Sequence, residues 1–263
     1  MELRDHTVIV TGASRGIGAA VAVAAAAKGA RVGLIARTRN DLDQVLEQCG
    51  GHGAAATADV ADPTAMADAI AALEADIGPV DVLVANAGIG AYGPFADVDP
   101  EEIERLVRVN VLGTMHAIRT VLPGMIARRR GHLVTIGSIA GRIGSPFEAL
   151  YSATKFAGVG LTEALAVEVE PYGIAVSLVN PGPVATDFGD ARGHPYDRDR
   201  PKPVSSEQVA GVVINAIERG TSEAYVPGMF RPAVVVRHLI PPMFRWGSKR
   251  SFRDELAADA KTR

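Results

Sequence analysis

Tyr151 and Lys155 stand four residues apart in the stretch Tyr151-Ser152-Ala153-Thr154-Lys155. On a helix that spacing places a phenol and an ammonium on one face. Tyrosine is a poor proton donor or acceptor near neutrality because its ordinary pKa is about 10, and a neighbouring cation favours the phenolate. Bringing it to the operating pH takes a shift of roughly three units, worth about 4 kcal/mol, of which one lysine supplies only part. A bound, positively charged oxidised nicotinamide would supply more, so the pair predicts an acid/base device that works beside a cofactor. Alone, the spacing is weak evidence and favours a packed tyrosine beside a solvated lysine. The elements that position the two side chains have to decide.

A chain of 263 residues can bury a substantial core, as one large α/β domain or two small ones. It is 48% apolar and 5% aromatic with a net charge of −3, and its pI is near 6.1. Nothing in that balance points to nucleic acid or to an acidic substrate. Cys49 is the only cysteine, so no intrachain disulfide can form. The histidines fall at no metal-ligand spacing, and no metal site is predicted. The polar start lacks a signal-peptide pattern and no apolar run approaches a membrane span, so the expectation is a soluble cytoplasmic protein. No repeat, low-complexity segment or linker divides the chain.

Residues 7–10, Thr-Val-Ile-Val, feed the loop Thr11-Gly12-Ala13-Ser14-Arg15-Gly16-Ile17-Gly18, and an alanine-rich helix follows to about residue 28. Strand, glycine turn and helix in that order suit a diphosphate. Glycine lets the backbone come close, and the first helical turn offers free N–H groups and a positive dipole end. The spacing is not the common GxGxxG form, and a plain tight turn is the alternative. Residues 31–36 read as a second strand, apolar after its first position, as in a parallel sheet covered on both faces. Where NAD-preferring sites carry an acid for the ribose hydroxyl, this chain has Ala36-Arg37-Thr38-Arg39. Arg37, joined by Arg15 from the glycine loop, can fork onto a 2′-phosphate that a carboxylate would repel, which predicts NADP(H) over NAD. Two solvated arginines are the alternative.

The alternation continues with a helix over 40–48, a strand over 54–60 ending in Asp59-Val60, and a helix from an Asp62 N-cap with Pro63 to residue 77. A fourth strand over 80–84 runs into Asn86-Ala87-Gly88. Such a pattern means βαβ units and a doubly wound, Rossmann-type parallel sheet with ligands beyond the carboxyl ends of its strands. Pro100-Glu101-Glu102 opens one long helix with apolar positions at Ile103, Leu106, Val107, Val111, Ile118 and Leu122. Asn110 interrupts that stripe, and an amide there needs hydrogen-bond partners. A fifth strand over 132–136 sets Gly137-Ser138 at its carboxyl end, where Ser138 either meets a ligand or caps a turn.

The loop over 11–18, Asn86-Ala87-Gly88, Asn110, Ser138 and the Tyr151/Lys155 pair, taken in order, resemble the single-domain short-chain dehydrogenase/reductase family. The likeness covers about residues 7–227. After a sixth strand over 175–179, Asn180-Pro181-Gly182-Pro183-Val184-Ala185-Thr186 resembles the family's loop beside the nicotinamide. The resemblance implies one dinucleotide-binding and catalytic domain over residues 1–263, and an NADP(H)-dependent oxidoreductase acting on a ketone, aldehyde or secondary alcohol. Tyr151 would exchange a proton with the substrate oxygen. Lys155 would lower its pKa and bond the nicotinamide ribose, Ser138 would hold the substrate oxygen, and Asn110 would position a water in a proton relay. Gly12, Gly16 and Ile17 would line the diphosphate in a loop that also brings Ser14, Arg15 and Gly18 to the cofactor. Asp59 and Val60 would meet the adenine, and Asn86, with Ala87 and Gly88, would form the cofactor-facing strand end. Thr186 would hold the carboxamide, in a loop with Pro181, Gly182 and Val184. A homodimer or homotetramer would pack through the helices from Pro100 and Tyr151.

Substrate identity is not legible. Pocket candidates are residues 89–95, 145–148 and 187–203. The last, with Gly189, Gly193, Pro195, Pro201 and Pro203, reads as a substrate loop (187–204) that orders on binding, or as a plain connection. Residues 229–263 form a variable extension. From 231 to 252 it mixes Val234-Val235-Val236, Leu239-Ile240, Met243-Phe244 and Trp246 with Arg231, Arg237, Arg245, Lys249 and Arg250, and has no acid. Basic and apolar together fit a peripheral membrane contact and a lipophilic substrate. Pro232, Pro241 and Pro242 argue against one long amphipathic helix, and burial over the substrate pocket or in a subunit contact is the favoured reading. The alternative function is a non-catalytic NADP(H)-binding sensor or interaction protein on the same fold. It would have little use for Ser138, Tyr151, Lys155 and Asn110 together.

Overall fold

The computed structural model describes residues 1–194, 196 and 201–262. Seven strands make one parallel sheet: β1 (Thr7–Thr11), β2 (Arg31–Ala36), β3 (Gly53–Thr57), β4 (Val82–Ala85), β5 (Gly131–Ile136), β6 (Ile174–Pro181) and β7 (Glu223–Val226). Their order is β3-β2-β1-β4-β5-β6-β7. The chain winds from β1 to one edge and returns to wind from β4 to the other, so a crevice opens beyond the carboxyl ends of β1 and β4. Strands buried on both faces read as continuous apolar runs, and alternate residues serve opposite layers.

The helices are α1 (Gly16–Ala27), α2 (Arg39–Gln48), α3 (Pro63–Ile77), α4 (Pro100–Leu106), α5 (Gly113–Arg128), α6 (Ala149–Val169), α7 (Phe188–Ala191), α8 (Ser206–Arg219), α9 (Phe230–Leu239), α10 (Pro241–Ser251) and α11 (Arg253–Thr262). Val8, Val10, Val32, Leu34, Val82 and Val84 face α1, α2 and α8, meeting Val21, Leu42, Val209 and Val213. Ile9, Ile35, Leu83 and Leu133 face the other layer, meeting Met66, Ile70 and Leu73 of α3 and Ile118, Val121 and Met125 of α5. Asp62 caps α3 as its sequence predicts, accepting from Thr64 N at 2.8 Å and Ala65 N at 3.0 Å.

Three features depart from the sequence expectation. β3 ends at Thr57 rather than at residue 60. Ala58 N still pairs with Ala36 O, but the Asp59 carboxylate accepts from Ala61 N two residues on, and this Asx turn leads the chain out of the sheet. The long helix from Pro100 is three pieces, because residues Val107–Leu112 widen into a π-helical turn around Asn110. The stretch over 204–228, to which the sequence assigned nothing, contains α8 and β7. Its readable signal was the capping box of Ser205 and Gln208 ahead of Val209, Val213 and Ile217. The extension, in keeping with its prolines, is not one long helix but three, with a break at Ile240 just before Pro241-Pro242. Pro195 and residues 197–200 of the expected substrate loop lie outside the described residues.

Candidate active site

A cleft of about 2110 Å³ runs over the carboxyl ends of the strands. Its floor is the turn from β1 into α1. Gly12 sits at φ +64, and a Cβ there would lie 2.8 Å from Ala87 Cα. Gly16, at φ +57, faces Thr186 across the cleft. Both are positions where an L side chain is strained and where a bulky ligand needs bare backbone. Asn86 holds this turn in place. Its Nδ2 donates to Thr11 O at 3.0 Å and Gly12 O at 3.1 Å, while Thr11 Oγ1 accepts from the N–H groups of Asn86 and Ala87. The Asn86 amide is therefore committed to the glycine loop itself.

Gly12, Ser14, Arg15, Gly16, Ile17, Arg37, Asp59, Val60, Asn86, Ala87, Gly88, Ser138, Tyr151, Lys155, Gly182, Val184 and Thr186 all line the cleft. Three of the expected residues stand behind its wall. A Cβ on Gly18 would come within 2.2 Å of Gly12 O, so this glycine serves the packing of helix on loop. Pro181 pairs with Val226 inside the sheet, and Asn110 is buried below the surface. At the end of β2, Arg39 is turned away onto Asp43 and Ala55 O. Arg37 remains exposed in the cleft and makes no ion pair among the described residues. Arg15 reaches across to Asp187 at 3.8 Å. A glycine cradle with a helix N-terminus above it, and a cation beyond β2, fit a phosphorylated dinucleotide.

Tyr151 and Lys155 come from the first two turns of α6, and Ser138 from the end of β5. The Tyr151 phenol is buried beside the side chain of Ser138, whose Oγ accepts from Ala140 N at 3.1 Å. Ser138 thus meets both readings, capping a turn and facing the tyrosine. Lys155 Nζ donates to Ile136 O at 3.0 Å and lies 5.8 Å from the centre of the Tyr151 ring. Burial pushes the phenol well above its ordinary value; the Ser138 side chain opposes this, Glu148 adds to it and Arg192 counters it. Burial also lowers the Lys155 ammonium to about 8. Asn110 ties these parts together: its Oδ1 accepts from Ile89 N at 2.8 Å, and its Nδ2 donates to Ile89 O at 2.9 Å and to Thr154 Oγ1 at 3.0 Å.

Other residues shape the site, some from the pocket segments 145–148 and 187–203 and some from positions the sequence did not single out. Arg192 pairs with Glu148 above Tyr151, both mostly buried, and Phe188 packs at 5.7 Å from the Tyr151 ring. Beneath Ser138, Glu223 Oε1 accepts from Arg142 Nε at 2.7 Å, Asn180 Nδ2 at 2.8 Å and Tyr225 OH at 2.9 Å. Phe230, Val236, Phe244 and Trp246 of the extension form the far wall, so part of it does lie over the pocket. Among the described residues there is no cluster of metal-ligating side chains and no helix long and apolar enough to cross a membrane.

A nucleotide cradle at the switch point of a doubly wound sheet, with a serine, tyrosine and lysine converging beside it, defines a class of dinucleotide-dependent oxidoreductases. The short chain dehydrogenase family model matches residues 6–197, and the chain belongs to that family. It is 32% identical over 259 residues to dehydrogenase/reductase SDR family member 7B of Bos taurus, covering 92% of this chain and 80% of that one. It is 40% identical over 189 residues to the glycine betaine reductase ATRR of Emericella nidulans, covering 71% of this chain but only 15% of that protein. Among solved structures, a short chain dehydrogenase/reductase from Burkholderia phymatum in complex with NAD superposes with a TM-score of 0.83 at 24% identity, covering 90% of this chain and 94% of that one. That last likeness is one of fold.

Proposed function

We propose that the protein is an NADP(H)-dependent oxidoreductase that interconverts a ketone or aldehyde and a secondary alcohol, with Tyr151 as the acid/base. The carrying observation is the Tyr151 phenol, buried beside Ser138 over the glycine cradle with Lys155 one helical turn away. The nicotinamide, when bound, supplies or accepts the hydride. At neutral pH the buried phenol keeps its proton, the state required to protonate a carbonyl oxygen held against Ser138. Lys155 places a positive charge next to the position where phenolate develops, and Asn110 fixes the helix that bears both. Cofactor preference rests on Arg37, free in the cleft where an acid would select NAD. Residues 1–263 act as one cofactor-binding and catalytic unit, with 187–204 as the substrate loop. The exposed apolar Leu112 of the π turn, Met115 of α5 and Val167 of α6 support a homo-oligomer built through the helices from Pro100 and from Tyr151.

NADPH consumption by the purified protein against a carbonyl panel tests this, with ketosteroids, retinal, acyl thioesters and diketones as members. Tyr151→Phe removes the proton donor and keeps the ring, so turnover falls by roughly 1000-fold or more while NADPH affinity stays within about threefold. Retained turnover in that variant would sink the assignment.

A further inference from the structure

The helices α9 and α10 form a hairpin whose outer surface is both apolar and basic. Leu239 is 75% exposed and Trp246 65%, and Val235, Ile240 and Met243 are about half exposed around them. The apex between the helices is Ile240-Pro241-Pro242, also exposed. α9 buries only Val234, α10 buries nothing, and among the described elements α10 packs mainly on α9. Around these residues stand Arg231, Arg245, Lys249 and Arg250, exposed, and no acid occurs between Glu223 and Asp254. Arg250 lies 5.7 Å from the Trp246 ring, leaving the indole and the cation on one surface.

We infer that this hairpin is a docking surface for an anionic lipid bilayer. Charge selects that occupant. Residues 224–253 carry six cations and no acid, so the net charge of −3 leaves −9 on the remainder, Asp254 and Glu255 at the start of α11 included. An anionic surface attracts the basic segment. A second copy pairing hairpin to hairpin would bring two positive surfaces together. Exposed leucine, isoleucine, methionine and tryptophan ringed by arginine and lysine are the composition of a segment that lies in a headgroup layer. Phe230, Val236 and Phe244 of the same helices wall the cleft above Tyr151, and the exposed Met243 and Trp246 stand at its outer rim. For the proposed reaction, and resting on that reading, the cleft would take an apolar carbonyl from the bilayer. Bilayer binding itself stands apart from turnover.

Trp246 is the only tryptophan, so its emission reports the hairpin directly. The full chain is titrated with vesicles of phosphatidylcholine alone and of phosphatidylcholine with phosphatidylglycerol, at low and high salt, with co-flotation as a second readout. The expected result is a blue shift and flotation with the phosphatidylglycerol vesicles at low salt, both reduced by salt. Combined Arg245→Glu and Lys249→Glu lowers partitioning by roughly 30-fold or more, and Leu239→Ser weakens it with the far-UV spectrum unchanged. Unchanged emission and no flotation at low salt overturn the inference. So does a blue shift that grows with protein concentration in the absence of lipid, which would assign the hairpin to a second copy. Loss of turnover with flotation intact would instead remove the catalytic reading alone.

Discussion

Burial acts on Tyr151 and Lys155 in the same sense, against charge, and the two consequences differ. For the phenol it preserves the acid form. For the lysine it means that between pH about 8 and 10.5 the folded chain holds fewer protons than the unfolded one. Stability from this group therefore rises with pH across that window and is lowest below pH 8. Lys155→Met, which keeps the stem and removes the ammonium, is expected to stabilise the cofactor-free fold at pH 7 by on the order of 2 kcal/mol while abolishing turnover. Urea unfolding at pH 7 and pH 10 checks this, because the gain should shrink at the higher pH. Arg37 offers the second test at this scale. Arg37→Glu replaces a cation in the cleft by an acid and should weaken NADPH binding roughly 10- to 100-fold with little effect on NADH. Equal losses for both cofactors would mean Arg37 does not read the 2′-phosphate. These residues were legible because their chemistry lies in short-range spacing, Tyr151 to Lys155 or Gly12 to Gly18. Arg192 on Glu148, and Arg142 with Glu223 and Asn180, were not, because each pairs residues far apart in the chain that only the fold brings together.

A different kind of signal failed in the run from α4 to α5. Its apolar stripe reads as one regular helix, and the element is helical throughout; what the periodicity could not show is the extra residue taken up by the π turn over Val107–Leu112. That turn is set by partners outside the helix: the peptide of Ile89 after β4 and the hydroxyl of Thr154 on α6. An amide with three hydrogen bonds, one of them fully buried, acts as a clamp joining strand end, π turn and α6. Asn110→Ala leaves the Ile89 N–H and C=O without partners and should cost about 2–4 kcal/mol by urea unfolding. Asn110→Asp should not rescue it, since a carboxylate cannot donate to Ile89 O. Turnover should fall in both variants with NADPH affinity less affected, because the glycine cradle is held separately by Asn86. β1, β2, β4, β5, β6 and α1 to α3 were readable within a few residues because buried parallel strands carry their apolar runs locally and α3 carries its Asp62 cap. The end of β3 was not, since the Asx turn at Asp59 reverses a run that looks continuous.

For the molecule as a whole, the α/β body and the C-terminal helices answer to different physics. The two core layers on either side of the sheet close without α10 or α11, neither of which contributes to those clusters. α9 is attached more firmly: Phe230 packs so closely on Gly182 that a Cβ there would meet its ring at 2.2 Å, and Arg237 Nη1 donates to Arg142 O at 2.7 Å. The division of labour predicts the result of removing residues 241–263. The shortened chain should melt within about 3 °C of the full chain, since little buried apolar area is lost. NADPH affinity should be unchanged, because the cradle, Arg37 and Thr186 all remain. The far wall of the substrate cleft goes with Met243, Phe244 and Trp246, so KM should rise for a large apolar carbonyl and change little for a small one. A parallel rise in KM for both sizes would show that the wall shapes the catalytic centre itself, and a large drop in melting temperature would show that the extension is part of the core.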